Sequence, residues 1–233
     1  MPDAAPSFQT IFSDDSLLVL NKPAGLLLVP GRGEDKQDCL SHRVQQHYPD
    51  ALVVHRLDMA TSGLILMARG ADMQRMLSKL FEQRKVHKRY VAVVDGHMAG
   101  DASAAAGDGW QLIDLPIAVD WPNRPLRIID AEHGKPSQTR WRAISFDKGL
   151  QATRVELEPI TGRSHQLRVH LKAMGHPILG DQLYAPVAVL ARSPRLLLHA
   201  SELELTHPAS SKALHFSCEA DFWQRADTTK TNI

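Results

Sequence analysis

The sequence has little of what would indicate a secreted, membrane-spanning or disulfide-rich protein. Its 233 residues include only Cys39 and Cys218, which excludes a disulfide framework and a four-thiolate zinc site. No run approaches the roughly 18 apolar residues of a membrane-spanning helix. Residues 1–15 lack the basic start and apolar centre of a secretory signal. We therefore expect a cytoplasmic protein that does not contact membranes.

An excess of one charge is also missing. The chain has 27 Lys and Arg against 26 Asp and Glu, a net charge of +1, whereas nucleic-acid-binding proteins are usually more basic. Net charge does not describe a single face, however, and one face of a nearly neutral protein can still attract a polyanion. The sequence lacks a phosphate-binding loop, a nucleophilic serine elbow and a zinc-protease motif, and its twelve histidines are scattered. We expect no metal site.

Apolar periodicity predicts an α+β fold built on a mixed, mainly antiparallel sheet. Helices are predicted at 38–48, 73–81 and 164–174, the last with Ser164 as its cap. The predicted strands are at 17–20, 26–29, 64–67, 90–94, 113–119, 138–146, 152–160, 196–205 and 214–217.

One domain is expected over residues 13–222, with a flexible N-terminus at 1–12 and a flexible tail at 223–233. Residues 99–109 contain only Ala, Gly, Asp and Ser, and such a segment buries little apolar area. We expect these residues to form a flexible surface insertion.

The densest group of chemically active residues lies at 55–64, where three ionisable groups, two hydroxyls and a glycine precede an apolar strand. Catalytic groups tend to sit on such loops. A plain turn, in which Asp58 caps the local backbone, is the alternative, and the residues alone favour it. The alternatives for Tyr90 and Arg168 are a core aromatic and a solvated surface arginine.

The segment His55-Arg56-Leu57-Asp58, followed by Thr61-Ser62-Gly63-Leu64, resembles the signature of the RluA family of pseudouridine synthases. Three further segments agree in order and spacing from about residue 10 to about 222. They are Asn21-Lys22-Pro23-Ala24-Gly25, Lys88-Arg89-Tyr90, and the long motif from Gly162 to His170 with its continuation from Gly175 to Asp181.

The resemblance implies isomerisation of uridine in RNA to pseudouridine without a metal or an organic cofactor. It makes residues 13–222 a pseudouridine synthase catalytic domain, and because it begins near residue 10 we expect no separate RNA-binding domain ahead of residue 13. It makes Asp58 the catalytic carboxylate, which must be ionised near the ribose C1′ either to attack it or to remove a ribose proton. Arg168 is implied as its cationic partner, because an opposite charge favours the ionised form of a buried carboxylate. We expect Arg168 on the same side of its helix as His165 and Lys172, away from the apolar face. Tyr90 is implied to stack on the uracil, and its hydroxyl to assist loss of the C5 proton.

The remaining candidates are basic or aromatic residues that would hold RNA. Arg56 beside the carboxylate can fill the space left by an extruded uridine, and the basic run 84–89 can contact phosphates. A solvated loop is the alternative for that run. The expected substrate-binding residues are His55, Arg56, Lys88, Arg89, Arg163, His165, Arg124 and Lys22.

Segments 120–125 and 134–139 resemble the branch of the family that modifies a tRNA anticodon stem-loop and a 23S rRNA hairpin. RNA is therefore the expected partner, and no obligate protein partner is inferred. Three alternatives remain: a family member with another rRNA or tRNA target, an RNA-binding relative without catalysis, and a hydrolase of N-glycosidic bonds.

Overall fold

A computed structural model describes residues 8–100 and 108–222, which form one large sheet, a small two-stranded sheet and short helices. The helices are α1 (Leu40–Gln45), α2 (Gly70–Glu82), α3 (Gln166–Ala173) and α4 (Val187–Leu190). The strands are β1 (Gln9–Ser13), β2 (Leu17–Lys22), β3 (Ala51–Val53), β4 (Ser62–Arg69), β5 (His87–Asp95), β6 (Gln111–Asp114), β7 (Ile117–Val119), β8 (Arg127–Ile129), β9 (Gln138–Asp147), β10 (Ala152–Pro159), β11 (Leu198–Thr206) and β12 (Ala213–Ser217). None of the helices in the described ranges is long and apolar enough to cross a membrane.

The large sheet has ten strands, with the path β1-β2-β4-β11-β5-β10-β9-β6, while β3 pairs with β4 and β12 pairs with β11. Every neighbouring pair is antiparallel except β4 and β11, which are parallel. The predicted α+β class with a mixed, mainly antiparallel sheet is therefore confirmed. Strands β7 and β8 form the separate hairpin.

Both faces of the central strands are buried. In β2, Leu18 and Leu20 enter one core cluster, and Leu17 and Val19 enter another on the opposite face. Because successive strand residues point to opposite faces, a continuous apolar run is what a strand covered on both sides requires. Helix α2 covers the second face through Met73 and Leu77.

The single parallel pairing brings the residue-55–64 loop beside β11. Ser62 and Gly63 pair with His199 and Ala200. Gly63 has a φ of +108°, and a Cβ there would lie 2.3 Å from the Ala200 carbonyl oxygen. Only glycine fits so close a backbone approach, so this residue fixes where the loop ends and β4 begins.

Several predicted boundaries were wrong. The segment 26–29 is not a strand. Leu27 makes one isolated bridge, and Leu26 and Leu28 belong to a loop whose side chains are buried in the hydrophobic core. Residues 9–12, expected to be loose, belong to β1. The predicted strand 113–119 is divided between β6 and β7. The predicted tail and residues 101–107 of the predicted insertion lie outside the described residues.

The prediction for the cap and face of the third helix also fails. His165, not Ser164, is the N-cap of α3, in a left-handed conformation with a φ of 58°. Arg168 is buried rather than on a polar face, and Met174, expected in the apolar face, is exposed. Helix α3 is covered on more sides than its apolar spacing indicates, because Gln166 and His170 contact Thr139 and Arg168 contacts two carboxylates.

Candidate active site

A groove of about 780 Å³ opens between the loop that precedes β4, the end of α2, the start of β5 and the start of α3. This volume falls within the range of small-molecule binding sites, about 300–1,000 Å³. Its walls bring together sequence segments 54–61, 81–90 and 158–168. Asp58, Tyr90 and Arg168 all line it, although 110 residues separate the first from the last.

Lys22 holds the loop that carries Asp58. Its ammonium donates to the carbonyl oxygens of Pro23, Leu26 and Met59 at 2.8, 2.8 and 3.0 Å, and its side chain is completely buried. Burial lowers the pKa of Lys22 to about 7, and the charge of Asp58 opposes that effect. The predicted substrate contact by Lys22 is therefore wrong, because all three donors are used inside the protein.

His55 fixes the other end of the same loop. Its Nε2 accepts a hydrogen bond from the Leu66 amide at 3.0 Å, and its ring stacks on Phe81 with centroids 4.4 Å apart. Burial, with the nearby charge of Lys88, lowers the pKa of His55 to about 3. The ring is thus neutral at physiological pH. It still lines the groove, where a substrate can contact its exposed edge.

Arg168 links two carboxylates. Its Nε and Nη2 donate to Asp181 at 2.8 and 2.6 Å, and its Nη1 donates to Oδ2 of Asp58 at 3.2 Å. Asp181 and Arg168 are buried, whereas the Asp58 side chain is 29% exposed. The buried Asp181 thereby fixes the guanidinium of Arg168, and Asp58 is the member of the group that faces the groove.

The electrostatics of this group keep Arg168 charged. Burial on its own would lower the pKa of Arg168, but the hydrogen bonds and charges of Asp181 and Asp58 raise it above its ordinary value. Asp181 is held in turn by the amides of Leu183 and Tyr184. Gly180, just before it, has a φ of +72°, and a Cβ there would clash with the Arg195 carbonyl.

The second oxygen of Asp58 faces His165. Nε2 of His165 lies 3.9 Å from Oδ1 of Asp58, and its Nδ1 lies 2.6 Å from the Tyr184 hydroxyl. That hydroxyl also accepts the Arg127 amide at 3.0 Å. Burial lowers the pKa of His165, and the charge of Asp58 opposes this. A non-glycine residue with a positive φ is strained, and the Tyr184 contact stabilises this conformation.

Tyr90 lines the groove from β5 and is only 8% exposed. Burial raises its pKa, and the charge of Asp58 raises it further. At neutral pH the side chain is therefore a phenol rather than a phenolate. Its aromatic ring is available to an entering base, but the hydroxyl is a poor proton acceptor.

The predicted cationic residues divide into two groups. Arg56, Lys88 and Arg163 line the groove, and Arg56 is exposed with no hydrogen bond or ion pair inside the described ranges. Arg89 instead pairs with Glu202 at 3.2 Å and lies outside the groove lining, so its contact with RNA stays a prediction for the surface beside the groove. Arg124 is also outside the groove, on the loop between β7 and β8.

Two important residues were missed as functional candidates. Asp181 was only part of a matched motif, and Tyr184 carried no signal at all. The match of Gly180-Asp181 to the motif was the available signal for Asp181, but its pairing with Arg168 is seen only in the structure. Tyr184 had none, because its contacts with His165 and Arg127 depend on tertiary structure.

One group of possible metal ligands occurs in the described part of the chain, and it lies outside the groove. Glu202, Glu204 and His215 on β11 and β12 have ligand atoms within 4.8 Å of one another. Glu202 already pairs with Arg89, and the other two residues are exposed. The groove carboxylate Asp58 is bound by Arg168 instead, and the arrangement suits attack or proton removal by a carboxylate.

Comparison with known proteins agrees with this geometry. A family model described as RNA pseudouridylate synthase matches residues 16–173. The chain is 48% identical over 221 residues to the dual-specificity RNA pseudouridine synthase RluA of Escherichia coli strain K12, covering 95% of this chain and 97% of that one. The protein of the same name from Yersinia pestis is 49% identical over 212 residues, covering 91% and 98%.

A solved structure shares the fold. The human RNA pseudouridylate synthase domain containing 1 superposes with a TM-score of 0.76 at 26% identity, over 95% of this chain and 87% of that chain. The fold, the sequence matches and the family model agree over most of the described residues. The chain therefore belongs to the RluA family of RNA pseudouridine synthases, isomerases that convert uridine in RNA to pseudouridine.

Proposed function

We propose that this enzyme acts in the cytoplasm on two RNA hairpins, a tRNA anticodon stem-loop and a hairpin of 23S rRNA, with Asp58 as the catalytic carboxylate. The relatives at 48–49% identity carry the name dual-specificity, and segments 120–125 and 134–139 resemble that branch. The observation that carries the catalytic assignment is the Asp58 carboxylate, held at 3.2 Å by Arg168 inside an open groove.

The reaction breaks the bond between C1′ of the ribose and N1 of uracil, and then joins C1′ to C5. In this proposal Oδ2 of Asp58 stays with Arg168, and Oδ1 is the oxygen available to the ribose. The carboxylate either attacks C1′ or removes a ribose proton. Tyr90 supplies a ring for the freed base, and its raised pKa supports stacking rather than proton removal.

Four exposed or groove-lining side chains are proposed to hold the RNA. Arg56 lies next to Asp58 in the chain and has no internal partner among the described residues, so it is available to fill the stack that the uridine leaves. Lys88, Arg163 and His55 line the same groove. Arginine and lysine contacts to phosphate fix the position of the substrate without reading its sequence.

The targets are tested with two short synthetic hairpins, each labelled with tritium at C5 of its uridines. Joining C5 to C1′ displaces the C5 hydrogen, so tritium release reports the reaction. We expect release from both hairpins, with affinity that decreases steeply as salt increases. Release from only one hairpin, or only from an unrelated RNA, would assign the enzyme to another branch of the family. Free uracil among the products would indicate a hydrolase.

We further propose that Tyr184 positions His165 beside Asp58. Burial raises the pKa of Tyr184 to about 12, so its hydroxyl keeps its proton. Its oxygen accepts the Arg127 amide, and in this proposal its own hydrogen is donated to Nδ1 of His165. The remaining ring hydrogen is then on Nε2, which faces Oδ1 of Asp58.

Tyr184→Phe tests this arrangement through the pH dependence of kcat. The hydroxyl stabilises the neutral ring, so its loss should raise the pKa of His165 toward the ordinary 6.5. The groups that face the ring (Asp58, Arg168, Arg127 and Asp181) are unchanged in this variant. We expect kcat to fall about 5- to 10-fold, the effect of one hydrogen bond, and its acid limb to move to higher pH. An unchanged acid limb would contradict the positioning role.

A further inference from the structure

Outside the groove, the loop between β7 and β8 presents an exposed aromatic ring with a cation on it. Trp121 is 67% exposed, and within residues 8–100 and 108–222 it is the one aromatic among the exposed large hydrophobic side chains. The Arg124 guanidinium lies 4.5 Å from the centre of its ring. Arg124 forms no ion pair or hydrogen bond with the residues that the structure describes.

The loop that carries this pair is rigid. The amides of Asp120, Asn123 and Leu126 all bond to carbonyl oxygens within the loop, at 3.0–3.2 Å. The Asp120 carboxylate accepts both the amide and the side-chain nitrogen of Asn123, and among the described residues it forms no ion pair with Arg124. A ligand that stacks here meets a surface that is already ordered, which reduces the entropy cost of binding.

The hairpin is attached to the catalytic group. The Arg127 amide donates to the Tyr184 hydroxyl, which contacts His165 beside Asp58. Ile117 packs with Val169 of α3 and with Tyr184 in a small apolar cluster that also includes residues of the hairpin. On the same side of the groove, Arg163 donates to the Pro136 carbonyl, next to the segment that follows the hairpin. The hairpin therefore lies at the end of the groove formed by α3.

We propose that Trp121 and Arg124 form a second nucleotide-binding position, which stacks an unpaired base of the RNA hairpin outside the target uridine. The inference rests on the proposed function. Tyr90 and Phe81 are the phenyl rings that line the groove, and Trp121 is not part of the groove lining. An aromatic face beside an unpaired cation suits a base and its phosphate. A protein partner has less support, because polar Asp120 and Asn123 share the loop with the ring.

This second position makes RNA binding depend on the shape of the hairpin loop. A base can reach Trp121 only when the loop places it at a fixed separation from the uridine in the groove. Stacking tolerates any base, because every base has a π face. Trp121 therefore selects RNA by the geometry of its loop rather than by the identity of one nucleotide.

The test compares Trp121→Ala, Trp121→Phe and Trp121→Leu on the anticodon stem-loop, with both the Kd of the RNA and the kinetics of tritium release. We expect Trp121→Ala to raise Kd and KM about 5- to 150-fold, the range for loss of one base–aromatic stack, with little change in kcat. Trp121→Phe should recover most of the affinity. Trp121→Leu should not, because it restores apolar area without a ring.

Leu150→Ala is the matched control. Leu150 is 56% exposed and follows β9, at the end of the β9–β10 hairpin away from the groove-lining residues Glu158 and Pro159. Its loss removes exposed apolar area of similar kind, and we expect Kd and KM to stay within twofold. Arg124→Ala should reduce the slope of log Kd against log salt by about 0.7, the contribution of one phosphate contact to a single strand.

Unchanged Kd and KM in Trp121→Ala would overturn the inference. A fall in kcat with unchanged KM would also overturn it, because Trp121 would then act through the catalytic group. The binding measurement does not need turnover. If the wild-type enzyme binds this RNA without releasing tritium, the proposed target fails, while the comparison of Kd values still decides the role of Trp121.

Discussion

Asp58→Asn should abolish tritium release from C5-labelled uridine while leaving the Kd of the RNA within about threefold. The amide has the same shape and can still accept a hydrogen bond from Arg168, but it has no negative charge. A neutral amide neither attacks C1′ nor removes a ribose proton. A loss of at least about 10²–10⁴-fold is expected, the contribution of a well-placed acid–base group. The measurement is single-turnover release at saturating enzyme.

The control for this variant is Asp72→Asn, the same chemical change on α2. Asp72 is 90% exposed and does not line the groove, so its activity should match that of the wild type. Residual release by Asp58→Asn within tenfold of the wild type would show that another group performs the chemistry. Weakened RNA binding as large as the loss of rate would assign Asp58 to recognition rather than catalysis.

The strands and the amphipathic helix were predictable because each depends on local periodicity. Helix α2 repeats apolar residues at i, i+3, i+4 and i+7, and strand β2 begins with the unbroken apolar run 17–20. Segment 26–29 is also an apolar run, but it forms no ladder. Its side chains are buried, while the Leu26 carbonyl bonds to the ammonium of Lys22. The apolar pattern therefore predicts correctly that these side chains are buried, but it does not predict which groups the backbone of this segment bonds to.

The contact between Asp58 and Arg168 was predicted from family resemblance, and the structure gives it at 3.2 Å. The sequence pattern did not identify Asp181 as the third member of the group formed with Asp58 and Arg168. The loop after α3 brings the two carboxylates to one guanidinium, and this happens only in the folded chain. The helical spacing also placed Arg168 on a polar face. Its burial is instead a consequence of its two charged partners, which compensate for the loss of water.

Lys22 shows the opposite case, in which a correct motif match led to a wrong role. A lysine in a family signature was expected to contact RNA. The structure buries it completely against three carbonyl oxygens, one of them from Met59 in the loop that carries Asp58. Lysine is suited to this position because its ammonium has three donors. The residue acts on the site by holding the loop rather than by reaching the substrate.

Arg168→Met should lower the free energy of unfolding by about 3–5 kcal/mol, because it leaves the buried carboxylate of Asp181 without a cation to balance its charge. Activity should be lost together with stability, since Asp58 loses its only guanidinium contact in the described residues. Urea unfolding measures the first effect, and tritium release measures the second. The control is Arg75→Met on α2, where the arginine is 72% exposed, and neither quantity should change measurably.

The double variant Arg168→Met with Asp181→Asn separates the structural role from the catalytic one. The amide oxygen of the introduced asparagine can still accept the Leu183 and Tyr184 amides, and no buried charge remains unpaired at that position. We expect at least half of the lost stability to return, whereas activity stays absent, because Asp58 still lacks the cation that orients it. Recovery of both would mean that Arg168 serves only the fold. Recovery of stability without recovery of activity would mean that the reaction itself requires a guanidinium at this position.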